Sequence, residues 1–289
     1  MSLVVQQIVL GLLTGGVYVA VGIGFSLVWG ILNIVNLAHG AFIVLGGYLT
    51  WLLFTRFGVD PFLSLPLDAV LLFAVGYLIQ RGLINWVIRA PVFFTLLLTF
   101  GVNLALVNAV LILFTSDFRS VTPSYAGSGL ELGDVRVPFI RLATLAVALL
   151  MAALVALVLN RTRGGAAILA VAANRDAAQL VGIDLRHVYA LTFAIGAACA
   201  GVAGGLLSTV QAITPTAGEP YTLQAFVVVI LGGLGRVSAT VVGGLAFGLI
   251  EVFGQAAPGL GAGYANAIAF AILVLVLAVR PRGLLGRAQ

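Results

Sequence analysis

The 289-residue chain has no lysine, one cysteine and two histidines, and only 8% of its residues are charged. Soluble domains carry about 25% charged residues. With 62% of the residues hydrophobic, no water-soluble core can absorb the apolar surface. The shortage is uneven, because Arg56 is the first formal charge in the chain. That charge-free start lacks the basic region of a secretory signal. Without lysine no GxxxxGK[ST] phosphate loop exists. Cys199, His39 and His187 offer no metal-ligand spacing, and a single cysteine excludes an internal disulfide. Glu219 and Glu251 have no lysine or histidine near them in sequence to form a proton relay. No nucleophile–base set is legible, so the sequence points away from catalysis.

What is present is a series of long apolar runs. They are continuous rather than the alternating segments of a β-barrel. The expected fold class is therefore all-α: one transmembrane domain over 1–289, a polytopic helical bundle. Its eight spans lie near 5–29, 41–57, 62–79, 92–114, 139–160, 188–211, 237–253 and 264–279. A further apolar segment, 223–234, is shorter than the ~20 residues a span needs. It ends in GGLGR, which predicts a broken or re-entrant helix lining a solute path. Gly11 with Gly15, Gly46 with Gly47, and Gly201 with Gly205 predict close helix approach. Asp68 falls near the outer end of the third span.

Charge assigns the sides. Cytoplasmic loops of membrane proteins are enriched in Lys and Arg. Arg81, Arg89, Arg161, Arg163, Arg175, Arg186, Arg236, Arg280, Arg282 and Arg287 are placed inside; Arg56, Arg119, Arg136 and Arg141 fall outside. The N-terminus is then outside and the C-terminus cytoplasmic, a parity that changes if 223–234 turns back. The outside loop, 115–138, balances Asp117, Glu131 and Asp134 against Arg119 and Arg136 and contains GLELGDVRV, a candidate hairpin. The net charge of +5 is thus a topology signal and not a nucleic-acid footprint.

Two stretches carry functional promise. The first is the polar loop 161–187, with Arg161, Arg163, Arg175 and Arg186 against Asp176 and Asp184. Its interior, 166–181, is rich in Ala, Leu and Ile without Gly or Pro, which predicts one short helix. Such a helix in a cytoplasmic loop suits a docking surface; a solvated connector that fixes topology is the plainer alternative. The second stretch holds Asn33, Asn36 and His39, spaced to share one side of a helix. At membrane depth they would line a pathway beside a break near Gly40; otherwise they bond neighbouring helices or lie at the cytoplasmic interface. An ion-coupled carrier needs charge at mid-membrane. The membrane part of a pump with a separate soluble ATPase needs a docking helix. Sparse mid-span charge and the loop helix favour the pump.

The segment Asp176-Ala177-Ala178 to Gly182 resembles the EAA loop of ATP-binding cassette (ABC) importer permeases, with Asp in place of Glu. NIVNLAHGAF, RTRGGAAILAVAANRDAAQLVGID, TFAIGAACAGVAGGLL, FVVVILGGLGRVSATVVGGLAFGLIE and RPRGLLG follow one another over nearly the whole chain. Together they resemble the branched-chain amino acid ABC transporter permeases, in their high-affinity H-type branch. The resemblance implies a multi-pass subunit of the bacterial cytoplasmic membrane, bathed in lipid. It would pair with a second, related permease, two cytoplasmic ATPases that bind the ATP and magnesium, and an extracytoplasmic substrate-binding protein. No cofactor is implied in this chain itself. Alternating access would be driven through the loop helix, with Asn174, Arg175, Asp176 and Gln179 meeting the ATPase. Ala177 and Ala178 would permit close approach, and Gly182 would end the helix. The pathway would take Asn33, Asn36 and His39, with the Gly232, Gly233 and Gly235 break opposite. Gln80-Arg81 replaces a frequent Glu-Arg, and Arg236-Val-Ser238 replaces a small residue and Pro. These departures bear on the cargo, for which urea or a short-chain amide is the alternative within the family. A stand-alone ion-coupled carrier is the alternative outside it.

Overall fold

Helix α1 (Ser2–Leu32) is apolar around its whole circumference, as a helix surrounded by other helices or lipid must be. In the computed structural model, which describes residues 2–87, 91–133, 135–256 and 270–271, it forms half of the molecular centre. After it come α2 (His39–Phe57) and α3 (Pro61–Ile79), which passes through a π-helical turn (Gln80–Ile84) into the short α4 (Asn85–Val87). Next are α5 (Val92–Phe114), the strands β1 (Gly129–Leu132) and β2 (Val135–Pro138), and α6 (Phe139–Arg161). The loop helices α7 (Arg163–Ala173) and α8 (Arg175–Leu180) follow, then α9 (Leu185–Val210), α10 (Gly218–Gly232) and α11 (Val237–Ala256). Seven helical stretches are long and apolar enough to cross a membrane, so the protein is an all-α, multi-pass membrane bundle. They correspond to seven of the eight expected spans. The eighth, 264–279, lies outside the described residues except for 270–271, as do Arg89, Asp134, Arg280, Arg282 and Arg287.

Helix α9 forms the other half of the centre, and glycine brings the helices together there. Gly24 faces Gly196 of α9, and Gly46 faces Gly201, with no room for a Cβ at either. Gly11 and Gly15 of α1 interlock with Gly244 and Gly248 of α11. Small residues let backbones approach closely enough for van der Waals attraction to hold helices together where lipid gives no hydrophobic drive. Along the α1–α11 seam Gly15 meets Leu245, Gly22 meets Thr240 and Gly30 meets Gly235. The two helices therefore run antiparallel, and α11 begins where α1 ends.

Two expectations about local structure are corrected. Residues 33–38 are not helical, so Asn33, Asn36 and His39 share no helix face. Asn33 adopts φ 52°, and its N–H donates to the Trp29 carbonyl at 3.0 Å, closing α1 in the left-handed conformation that Asn tolerates. The chain then doubles back, and the His39 ring nitrogen Nε2 meets the Val21 carbonyl at 2.9 Å. Val21 lies about 16 Å along the axis from Leu32, so α2 starts deep within the bundle. The second correction is that the 166–181 helix divides at Asn174, which takes extended φ −157° and ψ 111°.

The short apolar segment is helical from Gly218 to Gly232, 15 residues, or about 22 Å. Its first turn abuts Gly40, whose N–H donates to Thr222 Oγ1 at 2.8 Å. Farther on, Phe226 stacks on Trp29 with centroids 4.8 Å apart, and Gly232 packs on Ala239. Thus α10 begins beside the deep start of α2 and ends beside the end of α1. It is one continuous helix shorter than a membrane span needs, as the length of the apolar segment predicted. The hairpin also forms, with Glu131 opposite Arg136 and Gly133 at φ 63° in the turn.

Candidate functional site

The bundle has two unlike ends, and the loop helices occupy one of them. Thr162 caps α7 through Gly165 N at 3.0 Å, and Asn174 caps α8 through Ala177 N at 3.0 Å. Each side-chain oxygen takes up a backbone donor that the first helical turn leaves free. At the other end of α8, Gly182 has φ 85°; its N–H donates to Gln179 O, and Ile183 N donates to Ala178 O. Glycine fits that left-handed stop. Ile168, Val171 and Ala178 are buried feet that seat the loop on the bundle.

The predicted contact residues therefore divide. Asn174, Asp176, Ala177, Gln179 and Gly182 are exposed. Arg175 turns inward: its Nη2 donates to the Leu32 carbonyl at 2.7 Å, and its guanidinium lies 5.7 Å from the Tyr189 ring centroid. It links α8 to the C-terminal end of α1, where a cation also complements the helix dipole. Ala178 packs into the bundle, so its small size serves the fold. Beside Gln179, Leu180 is 89% exposed and Val181 78%. Sequence reading passed over this apolar tip because Leu and Val in a membrane protein carry no signal of exposure.

The predicted pathway residues do not form one lining. Asn33 is exposed at the end of α1. Asn36 is buried and accepts from Ala38 N at 3.1 Å, a local turn. His39 is buried, bonded to Val21 and edge-on to Phe25 at 5.3 Å. Gly232 packs on Ala239, Gly233 has φ 119°, and Gly235 has φ 76° against Gly30. Of the predicted set, only Asn33 and the Gly235 turn share an end of the bundle; His39 ties the start of α2 to α1 in its middle.

At the other end a polar cavity of about 170 Å³ lies among α1, α6, α9, α10 and α11. Tyr18, Arg141, Gln211, Tyr221, Gln224 and Glu251 line it, with apolar walls from Val17, Leu207, Val210 and Val252. Nothing in the sequence announces it. Arg141 and Glu251 stand far apart in the chain, and each is a single charge at a span end. In the loop that follows α5, Tyr125 donates to Asp60 Oδ2 at 2.6 Å; burial first, and then this bond, raise its hydroxyl above the ordinary tyrosine pKa. Asp68, near the outer end of the third span as expected, is fully buried, which its place in the sequence did not announce. Its Oδ2 accepts from Thr50 Oγ1 at 2.6 Å and Ser64 Oγ at 3.3 Å. Among the described residues no group of three His, Cys, Asp or Glu side chains could hold a metal ion.

Comparison with known proteins gives whole-length likeness. The family model described as "Branched-chain amino acid transport system / permease component" matches residues 7–277. The chain is 31% identical to the high-affinity branched-chain amino acid transport system permease protein BraD of Pseudomonas aeruginosa, over 98% of this chain and 96% of BraD. It is 30% identical to the permease protein LivH of Escherichia coli, again over 98% and 96%. To LivM, a permease protein of the same named system in Escherichia coli, it is 26% identical over 93% of this chain and 68% of LivM. No solved structure matches.

Proposed function

We propose that this chain, which belongs to the family of branched-chain amino acid transport system permease components, is the membrane-embedded permease subunit of an ABC importer. It forms the translocation pathway for branched-chain amino acids and hydrolyses nothing itself. The observation that carries this reading is the whole-length match to BraD and LivH together with an ordered, exposed loop helix. The likeness to both LivH and LivM supports pairing with a second, related permease. Two soluble ATPases, binding ATP and magnesium, and an extracytoplasmic binding protein complete the assembly.

In this reading the arginine-bearing end, with Arg161, Arg163, Arg175 and Arg186, faces the cytoplasm. Leu180 and Val181 insert into a groove on the ATPase, and Asp176 and Gln179 supply polar contacts at its rim. Apolar anchors inside a polar rim are the usual anatomy of a specific interface. When the ATPases close, α8 moves, and the bond from Arg175 to Leu32 carries that movement to α1. The α1 helix is seamed to α9 and α11 by glycine, so a displacement at its end shifts a packed unit instead of bending one helix.

The test is Asp176→Lys and, separately, Leu180→Glu, in the chain co-expressed with its cognate partners. Both are expected to lose ATPase co-purification and leucine-stimulated ATP hydrolysis in proteoliposomes. Unchanged co-purification would remove α8 from the interface. Stimulation by urea but not leucine in the unmodified complex would change the cargo.

A further inference from the structure

We propose that the cavity between α1, α6, α9, α10 and α11 is a binding site for the zwitterionic head of an α-amino acid, with Arg141 for the carboxylate and Glu251 for the ammonium group. The proposal rests on the amino-acid cargo argued above and goes further by naming the residues that hold it. The cavity takes opposite charges from two different helices. Among the described residues no direct ion pair joins Arg141 to Glu251, although each lines the same space.

The unused hydrogen-bonding capacity is of the right kind. Arg141 Nη1 donates to Thr14 Oγ1 at 3.0 Å, which leaves further guanidinium N–H groups for the planar, two-toothed grip on a carboxylate. Across the cavity, Glu251 Oε1 accepts from Gln255 Nε2 at 3.2 Å, while Oε2 has no donor within 3.5 Å among the described residues, the Tyr18 hydroxyl and Arg141 acting on this carboxylate from the same lining. Gln224, 9% exposed, has an Oε1 that is likewise unpartnered among the described residues. Buried acceptors without donors are costly and uncommon in folded proteins. An ammonium group offers three donors and no acceptor, which suits Glu251 Oε2, Gln224 Oε1 and the neighbouring tyrosine hydroxyls. Tyr221 already accepts from Gln211 Nε2 at 2.7 Å.

Local structure does not account for Arg141. It lies in the first turn of α6, where the positive end of the helix dipole disfavours a cation. A charge on a spanning helix that faces a cavity, even at the span's end, is a candidate for holding a solute. The volume, several times the ~30 Å³ share of one liquid water, fits a small molecule and not a peptide. The apolar walls from Val17, Leu207, Val210 and Val252 leave a place for a branched side chain.

The experiment measures radiolabelled leucine binding to the detergent-purified permease–ATPase complex without its binding protein. Competition is by leucine, by leucinamide (no carboxylate) and by 4-methylpentanoate (no ammonium). In the unmodified complex each analogue is expected to compete at least about tenfold more weakly than leucine, the loss of one charge-assisted contact. Arg141→Gln should erase the discrimination against leucinamide alone, and Glu251→Gln that against 4-methylpentanoate alone. Co-purification with the ATPases checks that each variant assembles, and the analogue series on the unmodified complex stands even where a variant does not. Equal competition by all three ligands, or unaltered discrimination in both variants, overturns the site while leucine transport by the full importer keeps the proposed function. An importer that carries no amino acid overturns both.

Discussion

The centre of the bundle and the loop helices are built on opposite terms. In the 18-residue stretches that best fit a membrane span, α1 is 72% buried and α9 is 83% buried. They meet their neighbours through glycine, where the contact is backbone against backbone. The loop helices α7 and α8 are held by caps, three buried apolar feet and the inward arginine, Arg175. The centre cannot change shape without separating seams that have no slack. The loop can be displaced locally but stays tied to α1. The function proposed above assigns the two parts different work, with the loop as the compliant contact at the motor and the stiff helices beyond it.

The sharpest way to break the comparison is to put bulk into a seam. Gly204 of α9 packs directly against the Ile43 carbonyl of α2, and the Gly47 N–H is also close. A valine there must displace backbone, and overpacking costs about 1–3 kcal/mol, occasionally more, where backbone and not a flexible side chain has to move. Gly204→Val is expected to remove folded protein from the membrane fraction, read as monodisperse material after detergent extraction. Gly101→Val on α5, where nothing lies within 4 Å of an added Cβ, should extract normally. Comparable loss in both would mean that the seam is no tighter than the outer face of the bundle.

An intermediate effect is expected where the two regions join. Arg175→Ala deletes the bond to the Leu32 carbonyl and the contact with Tyr189. Hydrogen bonds from charged groups contribute about 2 kcal/mol. The fold should survive, because the seams are untouched, but ATP hydrolysis should proceed with reduced uptake. A lower ratio of leucine moved to ATP hydrolysed would place Arg175 in transmission. A variant with an unchanged ratio, and a modest fall in melting temperature only, would leave it as a structural tie.

What was legible in the sequence follows the same division. Glycine pairs such as Gly11 with Gly15 and Gly201 with Gly205 announced the seams, because spacing on one helix is enough to define a small-residue face. Gly182 announced a helix stop for the same local reason. Asn33 and Asn36 misled, since an asparagine at helical spacing is indistinguishable from one that closes or turns the chain. In the structure Asn33 closes α1 through its left-handed backbone, and Asn36 accepts from Ala38 N in a local turn. The cavity was not legible at all: Arg141, Gln224 and Glu251 come together only when α6, α10 and α11 assemble around α1. Leu180 and Val181 were hidden by composition, because exposure of an apolar residue is a property of the fold.

The smallest effect should come from Asn174, which belongs wholly to the loop. Its side chain accepts from Ala177 N at 3.0 Å, and its backbone makes the break between α7 and α8. Replacement of an N-cap by alanine costs about 1 kcal/mol, too little to unfold a bundle whose seams are intact. The cost falls on α8 alone, a helix of six residues that has few hydrogen bonds of its own to resist fraying. Asn174→Ala is expected to speed hydrogen exchange at Ala177 and Ala178 while amides in α9 stay protected, and to weaken ATPase affinity severalfold. Asn174→Asp keeps an oxygen at the cap and should restore both. If alanine left α8 exchange unchanged, the break at Asn174 would be held by the buried feet Val171 and Ala178 instead of by the cap. The loop would then obey the packing rules of the centre.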